Sequence, residues 1–364
     1  MRDSLTRDSL MRDISDGMAR DSMRRDSVLY ESDDVGIVVL DIPRTLDESQ
    51  GLPDDRAPPP RRILSAEPLG VPFQTPDPKC RDAALELVTE AAAPQTKSPA
   101  AQIADLMTAA ACQSALHHLH ISHPGPFHLP RLLAHGDPPP PLFPADAGPF
   151  IPEQATVLHG SLQDLSQTVC DSAPAFDLVL LDPPWPNRSA RRKTHNYSTV
   201  PNLKAMSHLL DHVPIPSHLA PAGLVGIWIT NRSSVLDFVT GPSGLFASWG
   251  LEQVAEWTWL KVTTAGDPIF DLDSTWRKPW EKLLIAKRVG TPTPAGLGSR
   301  TIVAVPDVHS RKPNLRGLFA RVLGPSFTGL EVFARNLTAG WWSWGDEVLQ
   351  FQQPEHWASL EQAL

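Results

Sequence analysis

Short apolar runs alternate with stretches of helical periodicity over residues 151–352. The apolar runs are bounded by Gly, Pro, Asn and Asp, a pattern that predicts β-strands. The predicted strands cover residues 156–159, 176–181, 224–230, 254–262, 282–287, 301–305 and 330–334. Helical spacing of apolar positions predicts helices over residues 202–210, 233–248 and 313–323. This alternation indicates an α/β fold with a mainly parallel sheet covered by helices.

The first 150 residues have a different character. Four Arg-Asp-Ser repeats begin at Arg2, Arg7, Arg20 and Arg25. Such polar repeats have too few apolar residues to bury, so we expect a disordered segment at the N-terminus. Helical patterns at 82–93 and 100–119 follow, between Pro-rich breaks at 57–60 and 138–144. The predicted units are a low-complexity segment (1–62), a partly helical accessory region (63–150), the main domain (151–352) and a C-terminal tail (353–364).

Composition limits the kinds of site and compartment. The three cysteines have no paired spacing, so we expect neither a disulfide framework nor a zinc site. Four histidines cluster at His117, His118, His120 and His123. They could suggest a metal, but without nearby cysteines or a second cluster we favour a helix end running into a loop, and no metal. No apolar run reaches membrane length and no signal core is present, so we expect no membrane partner and a location in the nucleus, or also in the cytoplasm.

The net charge of −9 is unevenly distributed. The first 150 residues hold 22 acidic and 14 basic side chains, whereas the remainder is nearly balanced with 19 and 18. A near-neutral domain can still bind nucleic acid through a local basic patch. The charge therefore does not exclude a nucleic-acid partner for the main domain.

The string Asp182-Pro183-Pro184-Trp185 directly follows the apolar run 176–181. It therefore lies at the carboxyl edge of the predicted sheet, where ligands bind in open α/β folds. The Asp182 carboxylate and the Pro183 carbonyl can accept hydrogen bonds from the two N–H groups of an aromatic amine. Proline has a fixed φ and no N–H, so the tandem prolines hold those acceptors without a competing donor. Trp185 would stack on the base or form a wall of its pocket.

This arrangement suits methyl transfer to the exocyclic amine of adenine. The amine is a poor nucleophile because its lone pair is delocalised into the ring. Two hydrogen bonds would orient it toward the methyl group of a sulfonium donor, so positioning would do most of the work. The alternative is a Pro-rich turn that only ends a strand. We favour the functional interpretation because the buried strand is in place.

Polar side chains after the tetrapeptide and at neighbouring strand ends form the predicted substrate site. A basic loop would contact phosphates, with Arg188 and Lys193 foremost, and Tyr197 would close the base pocket. The full predicted set is Asn187, Arg188, Arg191, Arg192, Lys193, Tyr197, Asn231 and Lys261. A solvated basic loop without a ligand is the alternative.

The predicted donor site lies later in the chain. Asp346 or Glu347 can accept from ribose hydroxyls, and they follow the strand 330–334. Lys312 precedes a predicted helix, where its ammonium could meet the carboxylate of the donor. The tryptophans at 341–344 could line an adenine slot or could simply belong to the core. The predicted donor-binding residues are Lys312, Arg335, Asn336, Asp346 and Glu347.

Several separate motifs resemble, in the same order, the MT-A seventy-kilodalton family of S-adenosylmethionine-dependent adenine N(6)-methyltransferases. They are Asp182-Pro183-Pro184-Trp185, His309-Ser310-Arg311-Lys312-Pro313, and Leu330 to Arg335 with Gly340-Trp341 and Trp344-Gly345-Asp346-Glu347. The strings Asn187-Arg188-Ser189, Asn196-Tyr197-Ser198, Trp228 to Arg232, Ala255-Glu256-Trp257, and Asp273 with Lys278-Pro279 favour the methyltransferase-like protein four branch. The resemblance covers residues 150–352.

The resemblance implies a Rossmann-like, circularly permuted methyltransferase sheet, in which the catalytic tetrapeptide precedes the donor-binding strand. It implies that Asp182, Pro183, Pro184 and Trp185 hold adenine. Lys312 would contact the methionine part of S-adenosylmethionine, while Arg335, Asp346 and Glu347 would lie near its ribose and adenine. The family usually has Asn at the position of Asp346, which leaves the details of ribose recognition open. The implied activity is N(6) methylation of adenine in RNA, small nuclear RNA included, or in DNA.

Two other functions stay open at this stage. A catalytically inactive subunit could keep the fold to bind nucleic acid or a partner protein, although degenerate members of the family have lost the acid and the aromatic residue kept here. A cytosine or glutamine amino-methyltransferase is the other alternative, and Asp182 favours adenine over it. The choice of RNA or DNA, the target sequence and the oligomeric state are not indicated by the sequence.

Overall fold

The structure is a computed structural model, and it describes residues 27–34, 36–53, 61–74, 99–133, 148–186, 200–274 and 277–359. The strands are β1 (Val28–Glu31), β2 (Ile37–Leu40), β3 (Arg61–Ser65), β4 (Leu132–Leu133), β5 (Thr156–His159), β6 (Phe176–Leu181), β7 (Leu219–Ile229), β8 (Leu251–Lys261), β9 (Trp280–Arg288), β10 (Arg300–Ala304), β11 (Gly329–Val332), β12 (Trp342–Gly345) and β13 (Trp357–Ser359). The α-helices are α1 (Ile42–Ser49), α2 (Pro99–Ser122), α3 (Leu162–Ser172), α4 (Leu203–Leu210), α5 (Ile215–His218), α6 (Ser233–Thr240), α7 (Leu245–Ser248) and α8 (Arg316–Leu323). Two 3-10 helices cover Gln350–Gln352 and Pro354–His356.

Ten of the described strands form one sheet in the order β1-β2-β10-β8-β9-β7-β6-β11-β12-β5. Within it, β1 and β9 run antiparallel to the other described strands. The carboxyl ends of β6, β7, β8, β10, β11 and β12 therefore share one edge with the amino end of β9. Open α/β sheets bind ligands at this edge.

Apolar side chains cover both faces of the sheet. On β6, Val179 and Leu181 point into a core formed with α3, α4, α6 and α7. Leu178 and Leu180 alternate with them and point into a second core, formed with α1 and α8. Successive strand residues point to opposite faces, so a continuous apolar run such as β6 fits a strand buried on both sides.

The α/β architecture expected from the sequence is confirmed, with shifted boundaries. The predicted helix 233–248 is two helices, because the backbone leaves the helical conformation at the C-cap Gly241, with ψ of 162°. Glycine is required there, since a Cβ would lie 2.5 Å from the Asp237 carbonyl oxygen. The last long helix begins at Arg316 and not at Pro313. Strand β12 was not predicted, because its residues were assigned to a donor-binding loop.

The disorder predicted for residues 1–62 is wrong for the part that the structure describes. Strands β1 and β2 extend the main sheet beyond β10, and α1 packs against β3. The apolar runs Val28-Leu29-Tyr30 and Ile37 to Leu40 supply buried side chains, among them Val38, Val39 and Leu40. Residues 357–359 are likewise not a free tail, because β13 pairs with β3 and Trp357 is buried. The Arg-Asp-Ser repeats and the predicted helix 82–93 lie outside the described residues.

The long helix α2 carries three of the clustered histidines and ends just before His123. His118 contacts the hydroxyl of Tyr30 at 2.7 Å, and the His123 ring lies against the same tyrosine. Over the described ranges, no group of three or more His, Cys, Asp or Glu side chains is arranged to hold a metal ion. In the same ranges, no helix is both long and apolar enough to cross a membrane.

Candidate active site

Asp182 lies at the carboxyl end of β6, at the centre of the ligand-binding edge. Its backbone N–H donates to the Val332 carbonyl at 3.3 Å, which continues the β6–β11 pairing by one residue. The Pro183 carbonyl accepts the N–H of Trp185 at 2.7 Å, so one of its two acceptor positions is used by the turn. The second lone pair stays available to a ligand. The tetrapeptide is therefore a tight turn that presents Asp182 at a strand end.

Trp185 packs in the core next to the turn and does not offer a free stacking face. Its side chain is 7% exposed and its Nε1 donates to the Trp228 carbonyl at 2.7 Å. The ring packs edge-on against Phe238. The hydrogen bond and the edge-on contact fix the indole in place, so this geometry does not favour stacking on a base, and the role of Trp185 as a wall of the base pocket stays a prediction.

Lys312 contacts Asp182 directly, although 130 residues separate them in sequence. Its Nζ lies 3.1 and 3.0 Å from the two Asp182 carboxylate oxygens and 3.1 Å from Oε2 of Glu281. The ammonium also lies 5.5 Å from the centre of the Trp228 ring. The sequence motifs predicted that Lys312 belongs to the donor site and Asp182 to the base site. In the structure the two side chains form one ion pair, so the two predicted sites meet there.

Glu281 is a central residue that sequence reasoning missed. Besides Lys312, its carboxylate pairs with Lys261, whose ammonium lies 4.5 Å from the centre of the Trp259 ring. Lys261 was predicted to bind substrate, but here it supports Glu281. The predicted strand began one residue later, at 282, so Glu281 was left outside it, whereas the structure begins this strand at Trp280.

The charge network holds Glu281 and Lys312 ionised. Burial alone would raise the pKa of Glu281, but Lys312 and Lys261 outweigh it and lower that pKa to about 2. Burial alone would lower the pKa of Lys312, but the carboxylates of Asp182 and Glu281 raise it above its usual value. Lys312 is therefore a permanent cation at neutral pH, suited to bind a carboxylate.

An open cavity lies on one side of Asp182. It is lined by Asp182, Pro184, Phe333, Ala334, Arg335, Asp346 and Glu347. Arg335 Nε contacts Oε2 of Glu347 at 3.1 Å, which aligns that carboxylate along the cavity wall. Three residues predicted for the donor site thus share a cavity with the predicted catalytic acid.

Phe333 is a second residue that the sequence analysis did not assign to the site. It has a φ of +61°, a conformation that is rare for a bulky side chain and that ends β11 at Val332. The turn places its ring on the cavity wall. Such strained residues persist only where their surroundings fix them, and they cluster at functional sites.

A second cavity lies behind Lys312 and also contains Asn336 and Glu331. Asn336 therefore lines the same cavity as Lys312, whereas Asp346 lines the first cavity. Burial raises the pKa of Glu331 to about 7, the negative charge of Asp182 adds to this effect, and Lys312 opposes it. Glu331 was not among the predicted site residues, because only residues that follow its strand were assigned to the donor site. It gives the site a carboxyl group that can ionise when a cation binds nearby.

We expect Glu331→Gln to stabilise the protein increasingly as pH rises. The pKa of Glu331 is raised on folding, so its contribution to stability is fully present below about pH 4.5 and is lost as pH rises through about 7. Urea unfolding from pH 4.5 to 8 should show the variant gaining on the wild type by about 1–3 kcal/mol.

Glu281→Gln is the control with the opposite sign. Its lowered pKa means that its contribution is present above about pH 4.5 and is lost as pH falls through about 2. Glu281→Gln should therefore cost stability by a nearly constant amount from pH 5 to 8. A flat difference for Glu331→Gln across the same range would contradict the assigned environment of Glu331.

Of the remaining predicted substrate residues, the structure describes Asn231. Asn231 follows β7, and its Nδ2 donates to the Trp280 carbonyl at 2.7 Å, which ties β7 to β9 beside the site. Neighbouring Arg232 donates through Nη1 to the Pro186 carbonyl at 2.5 Å. The predicted residues Asn187, Arg188, Arg191, Arg192, Lys193 and Tyr197 lie outside the described residues.

The tryptophans at 341–344 belong mainly to the core. Trp344 is fully buried and Trp341 is 3% exposed. Trp341 packs edge-on against Phe327 and also reaches the cavity behind Lys312. Of the two interpretations weighed from the sequence, core packing accounts for most of this group.

The chain is similar to known adenine methyltransferases in sequence. Residues 176–347 match the MT-A70 family. The N6-methyladenosine RNA methyltransferase MTA1 of Cryphonectria parasitica is 50% identical over 337 residues, which cover 91% of this chain and 94% of that protein. The N(6)-adenine-specific methyltransferase METTL4 of Mus musculus is 38% identical over 226 residues, covering 58% of this chain and 45% of that protein. The DNA N6-methyl methyltransferase of Caenorhabditis elegans is 36% identical over 211 residues, covering 57% and 54%.

The family resemblance is confirmed and its branch is refined. The sequence motifs favoured the methyltransferase-like protein four branch, and METTL4 does match. The MTA1 relative has both higher identity and wider coverage. Because that alignment covers 91% of the chain, it must extend well into the first 150 residues, which the sequence analysis could not assign.

Proposed function

Because this chain belongs to the MT-A70 family, we propose that it transfers a methyl group from S-adenosylmethionine to the N(6) amine of adenine in nucleic acid. The observation that carries the proposal is the contact between Lys312 and Asp182 at the carboxyl end of β6. It joins a cation suited to the carboxylate of the donor with an acceptor suited to the amine of the base. The two reactants would thus meet at one point of the sheet edge.

The side chains fit the proposed donor. Lys312 would hold its carboxylate, and Asp346 or Glu347 would accept from ribose hydroxyls in the cavity that they share with Asp182. Glu331 supplies a carboxyl group that would ionise beside a positive group of the donor. When bound, S-adenosylmethionine supplies an electrophilic methyl group on a positively charged sulfur.

The chain itself would orient the amine and exclude water. The Asp182 carboxylate would accept one N–H of the amine, and the free lone pair of the Pro183 carbonyl the other. Trp185 closes one side of the turn through its bond to the Trp228 carbonyl. Transfer leaves a surplus proton on the amine, and Asp182 is the acceptor placed to receive it or to pass it to water.

RNA is the substrate that we propose first. The relative with 50% identity and 94% coverage is named as an RNA methyltransferase, whereas the relative named for DNA is 36% identical over about half its length. A single-stranded or looped substrate would avoid the unstacking cost of a few kcal/mol that a duplex imposes. We also propose a nuclear location, or both nucleus and cytoplasm, where such substrates occur.

The test uses the purified full chain, labelled S-adenosylmethionine, and matched RNA and DNA oligonucleotides. Digestion to nucleosides and mass spectrometry should detect N(6)-methyladenosine from RNA. An oligonucleotide with every adenosine replaced by inosine, which lacks the amine, should give no product. Binding of the donor without incorporation into either polymer would instead favour a non-catalytic subunit, and product on cytidine would favour a different amine.

A further inference from the structure

The backbone just before Lys312 is fixed by a buried acid. We call residues 306–315, which connect β10 to α8, the Lys312 loop. The side chains of Asp307 and Arg311 in this loop are both 0% exposed, and Arg311 Nη1 donates to Asp307 Oδ2 at 2.6 Å. The other oxygen of Asp307 accepts the backbone N–H of Ala66 at 2.9 Å. Because Arg311 directly precedes Lys312, this pair fixes the point from which the Lys312 side chain extends.

The accessory region also contacts this loop through Arg131. Its guanidinium donates to the carbonyls of Pro306 at 2.9 Å, Val305 at 3.0 Å and Ala66 at 3.1 Å. Nη1 lies 3.7 Å from the Asp307 carboxylate, and the side chain is 2% exposed. A planar fork of donors is suited to bridge several acceptors at once. Arg131 thus joins the end of β10 to the residue that follows β3.

Arg311 makes a further contact with the accessory region. Its Nη1 also donates to the carbonyl of Leu64 in β3 at 3.0 Å, and its guanidinium lies 4.5 Å from the centre of the Phe351 ring. Strand β3 in turn is held between β4 and β13. The small sheet β13-β3-β4 is therefore a platform on which the Lys312 loop rests.

The loop is strained two residues before Lys312. Ser310 has a φ of +67°, in the left-handed region that favours glycine, and its hydroxyl accepts from Arg335. A conformation of this kind costs about 1–3 kcal/mol and persists only where surrounding contacts hold it. The Arg335 contact holds it on the side of the donor cavity, and the contacts of Asp307, Arg311 and Arg131 hold the other side.

We infer that Arg131 and Asp307 are positioning residues of the donor site, through which the accessory region holds the Lys312 loop in its binding conformation. This inference rests on the proposed function, because it concerns the donor that Lys312 would bind. The accessory region thereby contributes to binding of the amino-acid part of the donor. A shift of about 1 Å in a positioned group can lower a rate about a hundredfold, so loosening the loop should weaken the Lys312 contact measurably.

The test compares two ligands that differ only in the amino-acid part of the donor. S-adenosylhomocysteine carries the amino-acid carboxylate and amino group, whereas 5′-methylthioadenosine keeps the thioether sulfur and the nucleoside and lacks both. Calorimetry with the full chain should show that Arg131→Gln binds S-adenosylhomocysteine roughly tenfold more weakly, as expected for a charged hydrogen bond partly lost. Its affinity for methylthioadenosine should be unchanged.

Arg62→Gln is the matched control. Arg62 lies on β3 of the same small sheet and also pairs with a buried acid, but that acid is Asp47 of α1, at 2.7 Å. Both variants should lower the thermal midpoint, and only Arg131→Gln should change the ratio of the two affinities. Equal losses for both ligands, an unchanged ratio, or the same change in Arg62→Gln would overturn the inference.

Two further variants keep the test decisive. Asp307→Asn preserves the shape of the buried acid and should change the affinity ratio in the same direction, should Arg131→Gln fail to fold. Combining Arg131→Gln with Lys312→Met should add nothing to the loss from Lys312→Met alone, because both act through one contact. Additive losses would contradict a positioning role. If the wild type binds neither ligand, the proposed donor itself is wrong, an outcome distinct from binding with an unchanged ratio.

Discussion

Replacing Asp182 with Asn is expected to lower kcat/KM for methyl transfer by about three to four orders of magnitude. The substitution removes the charge that would orient the amine and take up its proton, while it keeps the size of the side chain. Lys312 keeps its contact with Glu281 at 3.1 Å, so the affinity for S-adenosylhomocysteine should change much less than the rate. Single-turnover assays with labelled donor, together with calorimetry, would measure the two effects separately.

Asp177→Asn is the matched control for this result. Asp177 lies on the same strand, but near its amino end, where its carboxylate accepts the N–H of Thr328 at 2.9 Å. Loss of that bond should cost roughly 1 kcal/mol of stability and little activity. If Asp182→Asn kept more than about a tenth of the wild-type rate, Asp182 would not have the role proposed from transition-state stabilisation.

Replacing Lys312 with Met is expected to weaken donor binding by roughly two orders of magnitude, since a charge-assisted contact to the donor carboxylate disappears. The rate should fall as well, because Asp182 and Glu281 would then lie near each other without the ammonium that both contact. Calorimetry with S-adenosylhomocysteine would measure the first effect, and turnover at saturating donor the second.

Lys287→Met provides the comparison. Lys287 is also a buried lysine of the sheet, with a side chain 7% exposed and paired with Glu252, but it lies near the carboxyl end of β9, away from the site. The Lys287→Met protein should be less stable than the wild type but should keep its affinity for the donor. A Lys312→Met protein that bound S-adenosylhomocysteine as tightly as Lys287→Met would exclude Lys312 from the donor site.

The sequence predicted the catalytic strand and its tetrapeptide because both depend on local properties. A continuous apolar run followed by Asp-Pro-Pro-Trp has few alternatives to a buried strand ending in a rigid turn. The donor-site residues after β11 could be found in the same way, since they also follow an apolar run. The described N-terminal strands were missed because their short apolar runs adjoin a long polar repeat, which dominated the interpretation of that segment.

Contacts between distant residues could not be predicted in this way. Glu281 lies on β9 and Glu331 on β11, and only the order of the strands in the sheet places them beside Lys312. Trp185 was predicted either to stack on the base or to form a wall of the base pocket, and only the fold shows that its indole bonds to the Trp228 carbonyl. The support of the Lys312 loop by Arg131 depends on a platform built from three separate parts of the chain.

The sequence alone determined strands β5 to β11, which of them end in polar groups, and to which family the chain belongs. These follow from residue type and spacing, which act over a few neighbouring positions. The tertiary structure decided which charges meet, which tryptophans are core, and what holds Lys312 in place. Those outcomes depend on burial and on strand pairing between residues more than a hundred positions apart. Removing a charged side chain from water is costly unless an opposite charge lies beside it.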